Sequence, residues 1–561
     1  MSTRTIIHGV GVSAGTAFGP AVFITPPAGV DTNEPACTNP EEDTARIKEV
    51  FQKVADGLNA RADEAPETSK AILQATAGLA TDRGLLRTVT KELKKGSGVT
   101  RAVHDAVENF ATKLRKLGGY MAERVTDLYD VRDRAIARLR GLEEPGVPTM
   151  TEPSVIVAVD LAPAETATLD PELVRGIITS EGGPTSHTAI LAAQLGIPAV
   201  VKATGIADNL VPGGVVALDG GVGEIIVSPT QDDTDELAER SHRRATALAG
   251  SSGEGATRDG HPVKLLANIG TAEDAKKAAA FDLEGSGLFR TEFLFLSRET
   301  APTVEEQTAT YTEVLRAFGG RRVVVRTLDA GADKPLSFAN LGEEENPALG
   351  RRGLRLSQAR EDLLDEQLEA LAAAYKETGA DLWVMAPMVS TVEETRWFVD
   401  KARAAGLPKA GVMVETPAAA IRSKYVLSEA DFASIGTNDL SQYTMAADRM
   451  EGALSDLLDP WQPAVLNMIK ATCEGGNATG KHIGVCGEAG GDPLLALVLV
   501  GLGVSSLSMA PSKVNAVRAA LRLHDRSTCQ QMAAYAVDSW TAEEAKAAVL
   551  RIADPVLRDL M

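Results

Sequence analysis

Apolar and polar positions change period several times along this chain. Residues 1–22 read as short strands around Gly9, Gly11, Gly15 and Gly19. From about Glu41 to Leu142 apolar positions recur about every 3.6 residues, in stretches rich in Ala, Leu, Lys, Arg and Glu. Breaks fall near Pro66, Gly84 and Gly96–Gly98, so the pattern predicts a bundle of several helices. Strand texture returns after Pro145 and Pro148, at Ser154–Val159, Gly176–Ser180, Pro198–Val201 and Gly214–Asp219. The simplest arrangement is a helical subdomain inserted into an α/β domain, with the first strands pairing beyond residue 150. Residues 230–260 form a connector: Asp232–Leu248 is predicted helical, and the Gly/Ser-rich stretch 250–255 is expected as a flexible joint. Eight short apolar runs then alternate with helical patterns. They are Val263–Ile269, Gly287–Phe295, Val323–Leu328, Leu382–Val389, Gly411–Glu415, Phe432–Thr437, Ile483–Cys486 and Ser506–Met509. This alternation predicts a (β/α)8 barrel of the TIM type, with an open doubly wound sheet as the competing arrangement. The predicted domains are 1–22 with 143–229 (α/β), 23–142 (helical), 230–260 (connector) and 261–561 (barrel).

Composition narrows the function classes. The formal net charge is −20 and aromatics make up 4% of 561 residues. That charge repels nucleic acid and anionic membranes, and attracts a basic protein. The longest apolar run, Leu494–Val504, is far short of the roughly 20 residues that span a bilayer. The four cysteines (Cys37, Cys473, Cys486 and Cys529) form no C-x-x-C pair. With no basic-then-apolar leader pattern, a cytoplasmic protein without membrane insertion is expected.

Two constellations carry chemistry. In Gly182-Gly183-Pro184-Thr185-Ser186-His187, a histidine sits on a Gly-rich turn between a short strand and a helical pattern ending at Gly196 and Pro198. A helix N-terminus suits a phosphate and disfavours an imidazolium, which leaves His187 neutral and nucleophilic; a plain capping turn is the alternative. In the predicted barrel, polar residues close the strand runs: Arg290, Arg326, Glu415, Asn438 with Asp439, and Cys486. In a barrel these converge on the C-terminal face. Arg290, Arg326, Arg352 and Arg449 are suited to clamp phosphate and carboxylate oxygens. Glu415 and Asp439 form a natural pair for one Mg²⁺. The ligand expected is a small, metal-chelating phosphorylated acid. Surface salt bridges, hydrogen bonding within the barrel mouth and, for Cys486, a small core residue are the plainer readings.

Several motifs together resemble the enzyme I family of the bacterial sugar phosphotransferase system, within the phosphoenolpyruvate-utilising enzymes. They are, in order, residues 9–19 (GVGVSAGTAFG), 160–166 (DLAPAET), 182–187 (GGPTSH), 287–295 (GLFRTEFLF), 326–329 (RTLD), 346–352 (NPALGRR), 436–443 (GTNDLSQY) and 486–488 (CGE). The resemblance spans nearly the whole chain and implies a phosphoenolpyruvate-dependent protein phosphotransferase. It implies phosphoenolpyruvate and Mg²⁺ at the barrel mouth, with Glu415 and Asp439 on the metal. Arg290, Arg326, Arg352, Arg449, Asn438 and Asp439 would bind substrate. His187 would take the phosphate, Thr166 would hydrogen-bond the histidine, and Cys486 would protonate the enolate to release pyruvate. It further implies a histidine-containing phosphocarrier protein docking on the helical subdomain, and a homodimer through the barrel. Related dikinases and synthases need a large nucleotide-binding domain that the roughly 145 residues before the α/β segment do not hold. A non-enzymatic regulator on the same scaffold is the remaining alternative class.

Overall fold

Strand β3 (Thr16–Phe23) pairs in parallel with β4 (Ser154–Ala158), Ala21 opposite Val155. A single β-to-β crossover therefore carries the whole helical insertion. These coordinates are a computed structural model that describes residues 4–560, apart from 25–26, 65–66, 118, 147, 149, 151, 162–168, 170–171, 184–186, 297, 332–335, 340–341, 343 and 450. The chain forms two compact units, Met1–His242 and Arg243–Met561.

In the first unit, β1 (Thr5–His8), β2 (Val10–Ser13), β5 (Val174–Thr179), β6 (Ala199–Val201), β7 (Val215–Asp219) and β8 (Glu224–Val227) join β3 and β4. Among the described residues they make one sheet in the order β1-β8-β7-β3-β4-β5-β6-β2. The steps from β3 to β6 are parallel. Strand β8, which the periodicity did not predict, pairs antiparallel with both β7 and β1. The glycine-rich opening permits close backbone approach. A Cβ on Gly11 would lie 2.5 Å from the Gly220 carbonyl oxygen.

The insertion folds as helices Pro40–Glu64, Glu67–Ala80, Arg83–Lys94, Val99–Leu117 and Gly119–Arg140. Ile47, Phe51, Val54 and Leu58 recur on one face of the first helix and are buried against Leu85, Val89 and Leu93 of the third. Asp82 stops the break near Gly84 from running on, because its side chain caps the third helix at the Leu85 N–H.

In the second unit, β9 (Lys264–Ile269), β10 (Gly285–Arg290), β11 (Arg322–Arg326), β12 (Leu382–Val389), β13 (Ala410–Val414), β14 (Phe432–Ile435), β15 (His482–Val485) and β16 (Ser506–Met509) close into a parallel barrel. The run Gly287–Phe295 is two elements: β10 ends at Arg290, and a short helix, Glu292–Phe295, follows. Three outer helices begin with the same device. Thr271, Thr303 and Thr391 each cap a helix whose third residue (Asp274, Glu306, Glu394) bonds back to the cap. Each such cap contributes about 1 kcal/mol and fixes where a helix starts after its loop. The apolar run Leu494–Val504 is mostly the buried helix Pro493–Leu502, with Leu494–Val500 all inside the core. No helix among the described residues is long and apolar enough to cross a membrane.

The connector differs from expectation. Gln231–Ala249 is one helix, but the glycine/serine stretch after it is bound to the barrel unit rather than free. Ser251 Oγ donates to the Asn515 carbonyl (3.0 Å), Arg518 donates to the Ser251 carbonyl (3.2 Å), and Arg522 donates to those of Gly250 and Ser252. The Gly255 N–H reaches Glu284 at 3.2 Å.

Candidate active site

Arg290, Arg326, Glu415, Asn438, Asp439 and Cys486 sit where barrel strands end, whereas Arg352 and Arg449 lie further along the loops and helices that follow. Arg290 and Arg326 close β10 and β11 and lie opposite one another in register. Glu415 follows β13, and Cys486 follows β15. After β14 the chain turns at Gly436 into the helix Thr437–Met445, which puts Asn438 and Asp439 in its first turn. Arg290, Arg326, Glu415, Asn438, Asp439, Arg449 and Cys486 all line one cavity of about 310 Å³. Arg352 does not line it. Buried, it is taken up by Asp439 (2.8 Å) and Asp329 (3.2 Å).

The mouth is a network of opposed charges. Arg326 pairs with Glu292, with Asp329 at 3.1 Å and with Glu415 at 3.9 Å. Arg449 approaches Asp439 at 3.5 Å. Burial alone would lower the Arg326 and Arg352 guanidiniums, but the surrounding carboxylates hold both above their ordinary range. Removing one partner from such a buried pair costs about 3–5 kcal/mol, because the other charge is left uncompensated. The arrangement is therefore stable only as a set.

Burial pushes Glu415 up to about 8, and the neighbouring carboxylates of Asp439 and Asp329 push the same way. Two hard oxygen donors repelling one another are what a divalent cation neutralises. Among the described residues no group of three or more His, Cys, Asp or Glu is gathered as a cage. The two carboxylates suit a divalent cation that also keeps water and substrate oxygens. Glu415 is held by the Met388 N–H at 2.8 Å. Met388 is buried with φ +59°, at a register shift between β12 and β13. Nothing in the sequence marks that position.

Cys486 is buried among Leu288, Val324, Met385, Met413 and Phe432 inside the barrel. Burial pushes its thiol up to about 11, with Glu415 adding to the shift against Ser434 and Arg326. Asn438 is exposed at the rim, its Oδ1 accepting from the Glu488 N–H at 3.5 Å.

In the first unit, the helix after the glycine-rich turn runs His187–Leu195 and ends at Gly196, whose φ is +67°. Thr188 is buried and donates to Asp160 Oδ1 at 2.8 Å, which ties the helix start to the end of β4. Thr166 lies outside the described residues.

Two residues were missed as parts of the site. Glu292 and Asp329 each follow an arginine inside a quoted motif, and an acid beside an arginine at a strand end was the available signal.

Profiles of the phosphoenolpyruvate-utilising enzymes match the chain in three pieces: the PEP-binding domain over residues 251–526, the N-terminal domain over 8–124 and the mobile domain over 150–223. A phosphoenolpyruvate-protein phosphotransferase of Streptomyces coelicolor is 49% identical over 552 residues, which is 97% of this chain and 98% of that one. Proteins of the same description from Haloferax volcanii and Staphylococcus carnosus are 38% and 36% identical, over 97% and 96% of this chain and 98% and 97% of theirs.

Proposed function

This chain belongs to the phosphoenolpyruvate-utilising enzymes, and on that premise we propose that it transfers the phosphoryl group of phosphoenolpyruvate to His187 and then to a histidine of a small phosphocarrier protein. It is a phosphoenolpyruvate-dependent phosphotransferase. The observation that carries the reading is the convergence of arginines, paired carboxylates and a protonated thiol on one small cavity.

Members of the family use a divalent metal, read here as Mg²⁺, with Glu415 and Asp439 as its ligands. Bound there, it would act as a Lewis acid toward the oxygens of phosphoenolpyruvate. Arg290, Arg326, Arg449 and Asn438 hold the phosphate and carboxylate, with Arg352 joining as its pair with Asp439 loosens. Neutral His187 attacks phosphorus, the bond from phosphorus to the enol oxygen breaks, and the enolate remains. The arginines offset charge on the transferring group, where most of the catalysis of such transfers lies. Cys486 gives its proton to C3 of the enolate, pyruvate leaves, and the thiolate regains a proton from water.

His187 and the arginines belong to different units; in this reading His187 moves to the barrel to be charged and away from it to discharge. Residues 1–22 with 143–229 form the phosphohistidine domain, and 23–142 dock the carrier. The barrel of 261–561 binds substrate and dimerises. A hinge at 250–255 is disfavoured by the bonds that hold this stretch to the barrel unit. The protein works in the cytoplasm.

Incubation with ³²P-labelled phosphoenolpyruvate and Mg²⁺ tests the reading. Acid-labile label on the wild type, absent from His187→Ala, is expected. Absence of label from both would overturn it in favour of a non-enzymatic regulator.

A further inference from the structure

Behind the cavity runs a chain of uncharged polar side chains that the reaction does not use. It starts on the outer helix Val304–Ala317 and ends on the loops after β10 and β11. Gln307 Nε2 donates to the Pro302 carbonyl (3.1 Å), and Tyr311 OH donates to Gln307 Oε1 (3.0 Å). Gln367, on the helix Glu361–Thr378, donates from Nε2 to Tyr311 OH (2.9 Å) and to Thr291 Oγ1 (3.2 Å). Thr291 Oγ1 in turn donates to the Arg326 carbonyl (2.9 Å). Gln367 Oε1 accepts from the Leu328 N–H (2.9 Å). Gln307, Tyr311, Gln367 and Thr291 are each at most 1% exposed.

The geometry fixes the amide of Gln367 one way round. Leu328 presents an N–H, so only the amide oxygen can face it, which leaves both amide hydrogens for Thr291 and Tyr311. One side chain thereby holds two loops. Thr291 stands between Arg290 and Glu292, and Leu328 stands between Arg326 and Asp329. A buried polar group with all its partners in place rigidifies its surroundings, and one left short costs about 1–3 kcal/mol. The sheet reaches only the start of these loops: β10 and β11 pair with one another no further than Arg290 and Arg326, and beyond them the Thr327 N–H donates to the Met385 carbonyl of β12 at 3.0 Å.

We propose that Gln367 is a positioning residue for substrate binding. It sets the spacing of the loops that follow Arg290 and Arg326, so that Glu292 and Asp329 hold the Arg326 guanidinium at the cavity. The inference rests on the reading of that cavity as the phosphoenolpyruvate site.

The test compares Gln367→Met, which loses the bonds of the Gln367 amide to Leu328, Thr291 and Tyr311, with Tyr311→Phe, which leaves those to Leu328 and Thr291 in place. Pyruvate formation is measured over a range of phosphoenolpyruvate concentrations, with melting temperature read in parallel. Gln367→Met is expected to lower kcat/KM by roughly tenfold to a hundredfold, mainly through KM, the size of effect a displaced binding group produces. Tyr311→Phe is expected to lose stability but keep KM within about twofold. Should Gln367→Met fail to fold, Gln367→Asn withdraws the same amide by one methylene and is expected to raise KM in the same direction. An unchanged KM in a folded Gln367 variant, or an equal rise in Tyr311→Phe, overturns the positioning role. An inactive wild type overturns the functional reading instead.

Discussion

Cys486 owes its chemistry to where it is buried. An exposed thiol titrates near 8.5 and would be largely deprotonated by pH 9. Inside the barrel, burial and then Glu415 push this one up to about 11, so it keeps its proton throughout the neutral and mildly alkaline range. A group that must donate a proton to an enolate is useful in that state. Cys486→Ala is therefore expected to slow pyruvate appearance by about 10²–10⁴-fold, while label still reaches His187 from phosphoenolpyruvate. In the wild type the sign of the shift sets the pH profile: donor activity is lost only as pH rises toward 11. A basic limb centred near 8.5 that disappears in Cys486→Ala would contradict the buried-acid account. At this scale the sequence was informative for charged groups at strand ends and silent for uncharged ones. A glutamine such as Gln367 within an amphipathic helix reads as a solvent-facing position. Its burial depends on Leu328 and Thr291, which lie far away in the chain.

Among the elements, the close approach between the ends of β14 and β15 is the most constrained feature of the site. A Cβ on Gly487 would fall 1.9 Å from Thr437 Oγ1 and 2.7 Å from the Thr437 N. The second contact is backbone, so a side-chain rotation cannot relieve it. Gly487→Ala must push away the start of the helix Thr437–Met445, which carries Asn438 and Asp439 in its first turn. A loss of about 100-fold in kcat/KM is expected from displacement on the ångström scale, with far-ultraviolet circular dichroism unchanged. Activity within threefold of wild type would show that the turn is not rigid. The barrel strands were legible because each is a short apolar run followed by a helical period, five of them closed by a polar residue. Strand β8 was not: it is no shorter than β14, β15 and β16, but it stands outside the strand–helix alternation that made those readable. The stretch 250–255 was misread for a different reason. Glycine and serine composition predicts freedom, but the carbonyls here are taken by Arg518 and Arg522, more than 260 residues further on. Composition reports local entropy and says nothing of distant donors.

At the scale of the whole molecule, two units with separate cores should unfold as two calorimetric transitions, and one histidine marks which belongs to the barrel. His482 begins β15 at the end of the barrel opposite the cavity. It packs edge-on against Trp383 with ring centroids 5.5 Å apart, and its Nε2 lies 2.9 Å from Ser506 Oγ. Burial, then the positive charges of Arg322 and Lys264, push it down to about 4. Its folded form therefore resists a proton that the unfolded chain accepts near 6.5. Because the unfolded state binds more protons in that interval, stability falls as pH drops from about 6.5 to about 4, and is fully present above it. The share due to His482 is on the order of 2 kcal/mol once partial solvent screening is allowed for. Carboxylates that protonate over the same interval add their own slope, so the histidine is isolated by difference. His482→Gln removes the titration and keeps a polar partner for Ser506. Between pH 7 and pH 4.5 the barrel transition of the variant should fall by about 4 °C less than that of the wild type. The other transition should move alike in both proteins. Equal pH slopes for the barrel transition in the two proteins would mean that His482 is solvated, and that the barrel floor is not the closed, cation-lined surface described by Arg322, Trp383 and Phe432.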